Sequence, residues 1–402
     1  MTQSFDMPLP SESAPAEATG GEASVTTGTE SVHTAKTLAE SKPPTDEEVL
    51  RVENLSVDFP TDDGVVKAVR DVSYSLRERE VLSIVGESGS GKSVSSMAVM
   101  GLLPRSARIS GRVLYRGQDL LAMREKDRRS LRGRKISMIF QDPMTALNPV
   151  HTVGDQLAEA VLAHSLVPPR QARERAREML DLVGIPQAAQ RLRNYPHEFS
   201  GGMRQRVMIA MAIINNPDVI IADEPTTALD VTVQAQILEK LLEVKDAVNA
   251  AILLITHDLG VVAGLAHRVL VMYAGTPVEV GETDDVFYRT RMPYTAGLLG
   301  SIPSMTSSHG ERLRPIQGTP PSLINLPSGC PFAPRCPLAD ATCRSSEPPL
   351  APAYNPGEGG RRSEGQEDTD RYTEHLTACH HWERLASVED PTTFFRNGGQ
   401  NP

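Results

Sequence analysis

The run Gly86-Glu87-Ser88-Gly89-Ser90-Gly91-Lys92-Ser93 follows directly on the apolar stretch Val81–Val85 and leads into an apolar helical pattern. It has the spacing G-x-x-x-x-G-K-[ST] in a strand–loop–helix setting, and no other feature constrains the fold as tightly. The glycines let successive backbone N–H groups curl around an anion, and the N-terminus of the following helix adds a favourable dipole. Lys92 is then placed to reach the β/γ-phosphates of a nucleotide, and the Ser93 hydroxyl to join a Mg²⁺ shell.

A second buried run, Val219-Ile220-Ile221-Ala222, ends in Asp223-Glu224. Two acids closing an apolar strand are costly unless they face a metal or a solvent-filled site. Asp223 fits a Mg²⁺ partner, directly or through water, and Glu224 the group that polarises an attacking water. A third apolar run, Ala251–Thr256, precedes His257, which is placed to contact a γ-phosphate, and Gln141 follows Ile136–Phe140 with Mg²⁺ or the attacking water within its reach. Phe199-Ser200-Gly201-Gly202-Met203-Arg204 precedes a helical stretch with Ser200 as a natural N-cap. Asp230 closes Thr226-Thr227-Ala228-Leu229-Asp230.

Continuous apolar runs read as buried parallel strands, and they alternate with helical periodicity at Ala172, Ala176, Met179, Leu180 and Val183 and again at Val233, Ile237, Leu238 and Leu241. The core is therefore α/β around a parallel sheet. Alternating patterns in Leu55–Phe59, Ala68–Leu76 and Val113–Tyr115 predict an added antiparallel subdomain. Residues 150–198 read as a helical insert, and no internal repeat is present.

Taken in order, these elements closely resemble the ATP-binding cassette (ABC) family over about residues 50–281. The resemblance implies a P-loop ATPase with an antiparallel β-subdomain, using ATP and Mg²⁺. It makes Gly86 to Ser93 the nucleotide loop, and Ser93, Gln141 and Asp223 the Mg²⁺ partners. Glu224, Gln141 and His257 become the catalytic set, and Asp230 the end of the D-loop. Ser200, Gly201, Gly202 and Met203 would form the signature loop that covers ATP held by a partner subunit. Phe59 would stack on adenine; its other reading is a strand residue in the core. Met203 stands where the family usually has Gln, and Phe199 where it usually has Leu. Neither change removes the Ser-Gly-Gly backbone.

After Gly281 prolines multiply and the chain's four cysteines appear. Pro293-Tyr294-Thr295, Pro303, Gly318–Pro321 and Gly329-Cys330-Pro331-Phe332-Ala333-Pro334-Arg335-Cys336-Pro337, with Cys343 and Cys379, resemble the C-terminal extension of oligopeptide/dipeptide importer ATPases. Cys330-x5-Cys336-x6-Cys343 and the distant Cys379 supply four thiolates, enough for Zn²⁺ or an iron–sulfur cluster. The choice of a [4Fe-4S] cluster over zinc rests on the resemblance. His380 and His381 flank Cys379 as surface residues or as a substitute ligand. Such a cluster is expected to be structural: the cassette is chemically complete without it, and its loss is expected to leave ATP binding largely unchanged.

Domain bounds follow: an acidic disordered tail at 1–48 (nine acids against two bases), the cassette at 49–281, the extension at 282–390 and a flexible tail at 391–402, with 356–370 a flexible loop. No run approaches the roughly 18–20 apolar residues of a membrane span, and no basic-then-apolar leader opens the chain. The net charge of −10 argues against a dedicated nucleic-acid binder. The expectation is a peripheral subunit at the cytoplasmic face of a membrane, paired with a second, different ATPase chain. Two permease subunits and an extracytoplasmic peptide-binding protein would complete the importer. The solute stays open, because the ATPase never touches it, so nickel or another small solute is an alternative. A soluble cassette ATPase acting on nucleic acid or translation is a different class; it usually carries two cassettes or a long coiled coil, and this chain has neither.

Overall fold

The structure, a computed structural model, describes residues 41–227, 229–302, 316–353 and 375–396. Strands β1 (Glu48–Thr61) and β2 (Gly64–Arg77) form a long antiparallel hairpin. The first fully buried strand, β3 (Val81–Val85), runs through the glycine loop into α1 (Lys92–Met100). Strands β4 (Arg108–Tyr115) and β5 (Gln118–Asp119) then return to the hairpin, giving a four-stranded antiparallel sheet in the order β2-β1-β4-β5.

Helix α2 (Glu125–Leu131) leads to β6 (Ile136–Ile139). The insert follows as α3 (Pro143–Ala146), α4 (Val153–Leu162), α5 (Pro169–Leu182) and α6 (Ala188–Arg191). In α5, Ala172, Ala176 and Leu180 are buried as their period requires, whereas Met179 packs only partly. Helix α7 (Gly201–Ile213) then feeds β7 (Val219–Asp223), and α8 (Val231–Val248) feeds β8 (Ala251–Thr256). Helix α9 (Leu259–Leu265) precedes β9 (Arg268–Tyr273), which turns tightly into β10 (Thr276–Glu282). The turn residues Ala274 and Gly275 both take positive φ, 49° and 84°, the twist a two-residue hairpin needs.

Strands β9, β3, β8, β7 and β6 are parallel neighbours. All but β6 are buried from end to end, which explains the nearly continuous apolar sequences of β3, β7 and β8. Charges at the start of this sheet are paired: Arg268 meets Glu80 at 2.9 Å, with both side chains almost fully buried.

The extension does not form a free-standing unit. Helices α10 (Thr283–Tyr288) and α11 (Pro293–Leu299) pack back on the cassette, and α12 (Ala341–Ser345) follows the cysteine-bearing turn. Strands β11 (Ala351–Pro352) and β12 (Leu376–Thr377) join the cassette's own sheet, giving the order β11-β12-β10-β9-β3-β8-β7-β6. Their register pairs Glu279 with Thr377 and Val280 with Leu376. Tyr273, Tyr294 and Phe332 form one aromatic cluster across the boundary, with ring centroids 4.6–5.4 Å apart. A proline-rich segment that reads as poor in core residues therefore shares the cassette's core, through Phe332, Ala378 and Ile316.

Both ends of the chain depart from their expected bounds. The tail predicted over 1–48 lies outside the described residues up to residue 40. From Lys42 on, the chain is tied down: Lys42 Nζ donates to Asp246 O (2.9 Å) and Asn249 Oδ1 (2.8 Å), and Thr45 N to Glu78 O (3.1 Å). At the other end, α13 (Trp382–Ala386) is followed by α14 (Thr393–Arg396) beyond 390, and Phe395 packs on the core. Pro303 and the loop expected at 356–370 lie outside the described residues.

Candidate nucleotide site

The loop between β3 and α1 is shaped by backbone conformations that only glycine adopts easily. Gly86 sits at φ +150°, where a Cβ would come 2.2 Å from the Met272 carbonyl oxygen. Gly91 sits at φ +99°, where a Cβ would meet the Ala68 carbonyl oxygen at 2.3 Å. The β9–β10 turn braces the loop from outside, since Gly275 N donates to Ser90 O at 3.1 Å. Lys92 folds back along the loop, with Nζ donating to the carbonyls of Gly86 (2.7 Å) and Glu87 (3.0 Å). Burial pushes its ammonium pKa down, against the opposing charges of Glu224, Asp223 and Glu87.

Ser93 Oγ donates to Asp223 Oδ1 at 2.9 Å, so the two residues expected to share a Mg²⁺ stand together. Burial raises the Asp223 carboxyl pKa, and the neighbouring Glu224 charge adds to that. Two carboxylates side by side and mostly buried, with a hydroxyl beside them, offer the oxygen donors of a hard divalent cation, and the neighbouring lysine offers a charge to phosphate.

Glu224 is the point on which the remaining candidates converge. It holds a left-handed backbone at φ +46°, a strained conformation for a residue with a side chain. Gln141 Nε2 and Thr227 Oγ1 both donate to Glu224 Oε2 at 2.9 Å, and His257 Nδ1 lies 3.5 Å from Oε1. The carboxylate is largely shielded, whereas the His257 ring is mostly exposed. Thr227 lies in a stretch that the sequence marks only at Asp230, and no motif signals its bond to Glu224.

Ser200 caps α7, accepting from Met203 N. The nearest neighbours at Gly201 and Gly202 are Leu229 and Val233, so this exposed turn sits beside the Asp230 cap of α8 and not on the chain's own phosphate loop. Phe59 is half-buried near the end of β1, opposite Val66, while Ala68 farther along β2 abuts Gly91. Phe199 fills a buried position against the insert, where it serves as well as the usual leucine.

Residues 69–227 match the family model described as ABC transporter, and residues 278–343 match the one described as oligopeptide/dipeptide transporter, C-terminal region. A dipeptide transport ATP-binding protein, DppD, of Bacillus subtilis is 56% identical over 299 residues, covering 74% of this chain and 89% of the relative. The chain belongs to the ABC transporter family. Within it, this ABC ATPase falls in the oligopeptide/dipeptide branch, as a second relative also indicates: an oligopeptide transport ATP-binding protein, OppD, of Salmonella typhimurium is 53% identical over 309 residues, 77% of this chain and 91% of that one.

Among solved structures, the ATP-binding cassette MJ0796, a dimer in a post-hydrolysis state bound to ADP and Pi, superposes with a TM-score of 0.52. It is 25% identical and covers 58% of this chain and 98% of its own. The cbiO1 chain from Clostridium perfringens, part of the ABC transporter complex cbiONQ, superposes with a TM-score of 0.52 at 28% identity, covering 60% and 91%. Among the described residues of this ABC ATPase, no helix is long and apolar enough to cross a membrane.

Proposed function

We propose that this ABC ATPase hydrolyses ATP to power import of dipeptides or oligopeptides, working at the cytoplasmic face of a membrane with permease subunits, a peptide-binding protein and a second, different ATPase chain. The observation that carries the reading is the convergence on Glu224. Its strained backbone and its three partners, Gln141, Thr227 and His257, hold one carboxylate beside the Ser93–Asp223 pair at the mouth of the phosphate loop. Such a group can orient and deprotonate water attacking a γ-phosphate held by Lys92, and Ser93, Asp223 and Gln141 would hold the Mg²⁺ that offsets the phosphate charge. Phe59 stacks on the adenine. Ser200, Gly201, Gly202 and Met203, at the start of α7 with Ser200 and Gly201 exposed, cover the ATP held by the partner chain. The test is uptake of labelled dipeptides and nickel by cells carrying the intact or the Lys92→Ala chain. Peptide uptake lost with Lys92→Ala supports the reading, and loss of nickel uptake with peptide uptake untouched overturns it.

Cys330, Cys336, Cys343 and Cys379 are proposed to hold a [4Fe-4S] cluster. All four line one cavity with Met292, Phe332, Leu338 and Ala378. Burial drives their thiol pKa values up, to about 12 for Cys336 and Cys379, and the charge of neighbouring thiolates pushes the same way. Backbone N–H groups point at the sulfurs to offset this: Phe332 and Ala333 at Cys330, Leu338 at Cys336 and His381 at Cys379. Such a set is suited to a bound positive centre, which would keep the sulfurs as thiolates. A single tetrahedral zinc needs its sulfurs about 3.8 Å apart. Among the described residues, the ligand atoms that lie within 4.8 Å of one another are those of Asp340, Cys343 and His381, so the choice of the cluster over zinc rests on the family resemblance of the extension and not on this spacing. Protein purified without air should contain about four irons and four sulfides per chain. Stoichiometric zinc without iron would rule the cluster out.

A further inference from the structure

The extension reaches into the phosphate loop itself. Arg335, one residue before Cys336, is almost fully buried and grips the Glu87 carboxylate with both ends of its guanidinium, Nη1 to Oε2 at 2.6 Å and Nη2 to Oε1 at 2.8 Å. Nε donates to the Gln317 carbonyl at 3.1 Å, and the guanidinium carbon lies 5.8 Å from the Tyr273 ring centroid and 5.9 Å from that of Phe332. These partners fix its plane, so the fork is presented to Glu87 preorganised.

Glu87 is the second residue of the glycine loop, and it is held at two further points. Its N–H donates to the buried Tyr294 hydroxyl at 2.8 Å, and its carbonyl accepts from Lys92 Nζ. The extension also touches the neighbouring hairpin: Lys67 N donates to Leu323 O at 3.1 Å, and Glu347 pairs with Arg70 at 2.9 Å.

We propose that Arg335 is a positioning residue for nucleotide binding, acting through Glu87. A loop with three glycines loses much conformational freedom when it closes on phosphates, and a clamp applied beforehand removes part of that loss from the binding step. The carboxylate of Glu87 would also repel a polyphosphate, and Arg335 neutralises it. On this account the extension sets ATP affinity through one ion pair, although the sequence read as if the cassette were chemically complete without it.

The experiment measures affinity for a fluorescent ATP analogue on the full-length chain, and KM and kcat for MgATP in the assembled transporter. Arg335→Met should raise Kd and KM about 10-fold, with kcat at saturating ATP held within about twofold, since the Glu224 cluster is untouched. Arg335→Lys, which keeps the charge but loses the fork, should fall between. In a Glu87→Gln background the same Arg335→Met change should cost less than about threefold, because the charge to be neutralised is gone. Tyr294→Phe keeps the aromatic cluster and removes only the acceptor of the Glu87 N–H. It should raise Kd about threefold, and it tests the clamp even if Arg335→Met fails to fold. Wild-type affinity in both Arg335→Met and Tyr294→Phe would overturn the proposal. So would an Arg335→Met effect of the same size with and without the Glu87 carboxylate.

Discussion

Lowering the pH should weaken this fold through His267, and the size of the effect follows from its surroundings. Val81 N–H donates to His267 Nδ1 at 3.0 Å, so the folded ring must be neutral at that nitrogen. Burial, and next the fully buried Lys245 ammonium, push its pKa from the usual 6.5 down to about 4. Above pH 6.5 the ring is neutral whether the chain is folded or unfolded, and the stability is fully present. Between pH 6.5 and 4 only the unfolded chain takes up the proton, so folding loses about 1.4 kcal/mol per pH unit, or about 2 kcal/mol by pH 5. Water reaching the partly exposed ring trims this to about 1–2 kcal/mol. His267→Gln keeps an acceptor for Val81 N–H and does not titrate. Urea unfolding of both proteins at pH 7.5, 6 and 5 measures the difference. The wild type should lose about 1–2 kcal/mol more than the variant over that range. Parallel loss in the two proteins would refute the assignment.

Glu224→Gln should leave ATP binding intact and lower turnover in the assembled transporter by about 10²–10⁴-fold, because shape is kept and the base removed. Gly202→Asp should depress hydrolysis of ATP bound by the partner chain, read in mixed complexes with one phosphate loop disabled at a time; damage limited to this chain's own ATP would contradict the shared site. Glu80→Ala should destabilise the chain by about 3–5 kcal/mol in a denaturant titration, since it strands the buried Arg268 guanidinium beneath the central sheet.

The parts of the fold that were legible share a physical cause. Strands β3, β7 and β8 are buried on both faces, so their sequences are nearly continuous apolar runs, and glycines at Gly86 and Gly91 mark positions that no side chain can occupy. Strands β9 and β10 are hard to read from sequence because each carries a buried charge. Arg268 is balanced by Glu80, and Glu279 accepts from Thr290 Oγ1 and Arg291 N and lies 2.9 Å from His375 Nε2. Their partners come from distant elements that no periodicity announces. The same holds for the site. The spacing of Lys92, Ser93, Asp223 and Glu224 is local motif chemistry, but Arg335 appears in the chain only as a single base among prolines and cysteines.

The two-residue strand β12 closes an edge that would otherwise stand open along β10. Because Leu376 and Thr377 are made roughly a hundred residues after Val280 and Glu279, the cassette leaves the ribosome with that edge unpaired. At a synthesis rate of about 5–20 residues per second, the exposure lasts on the order of 5–20 seconds, long enough for another nascent chain to pair there. A chain stopped at residue 281 would lack β12 and keep that edge unpaired for its lifetime.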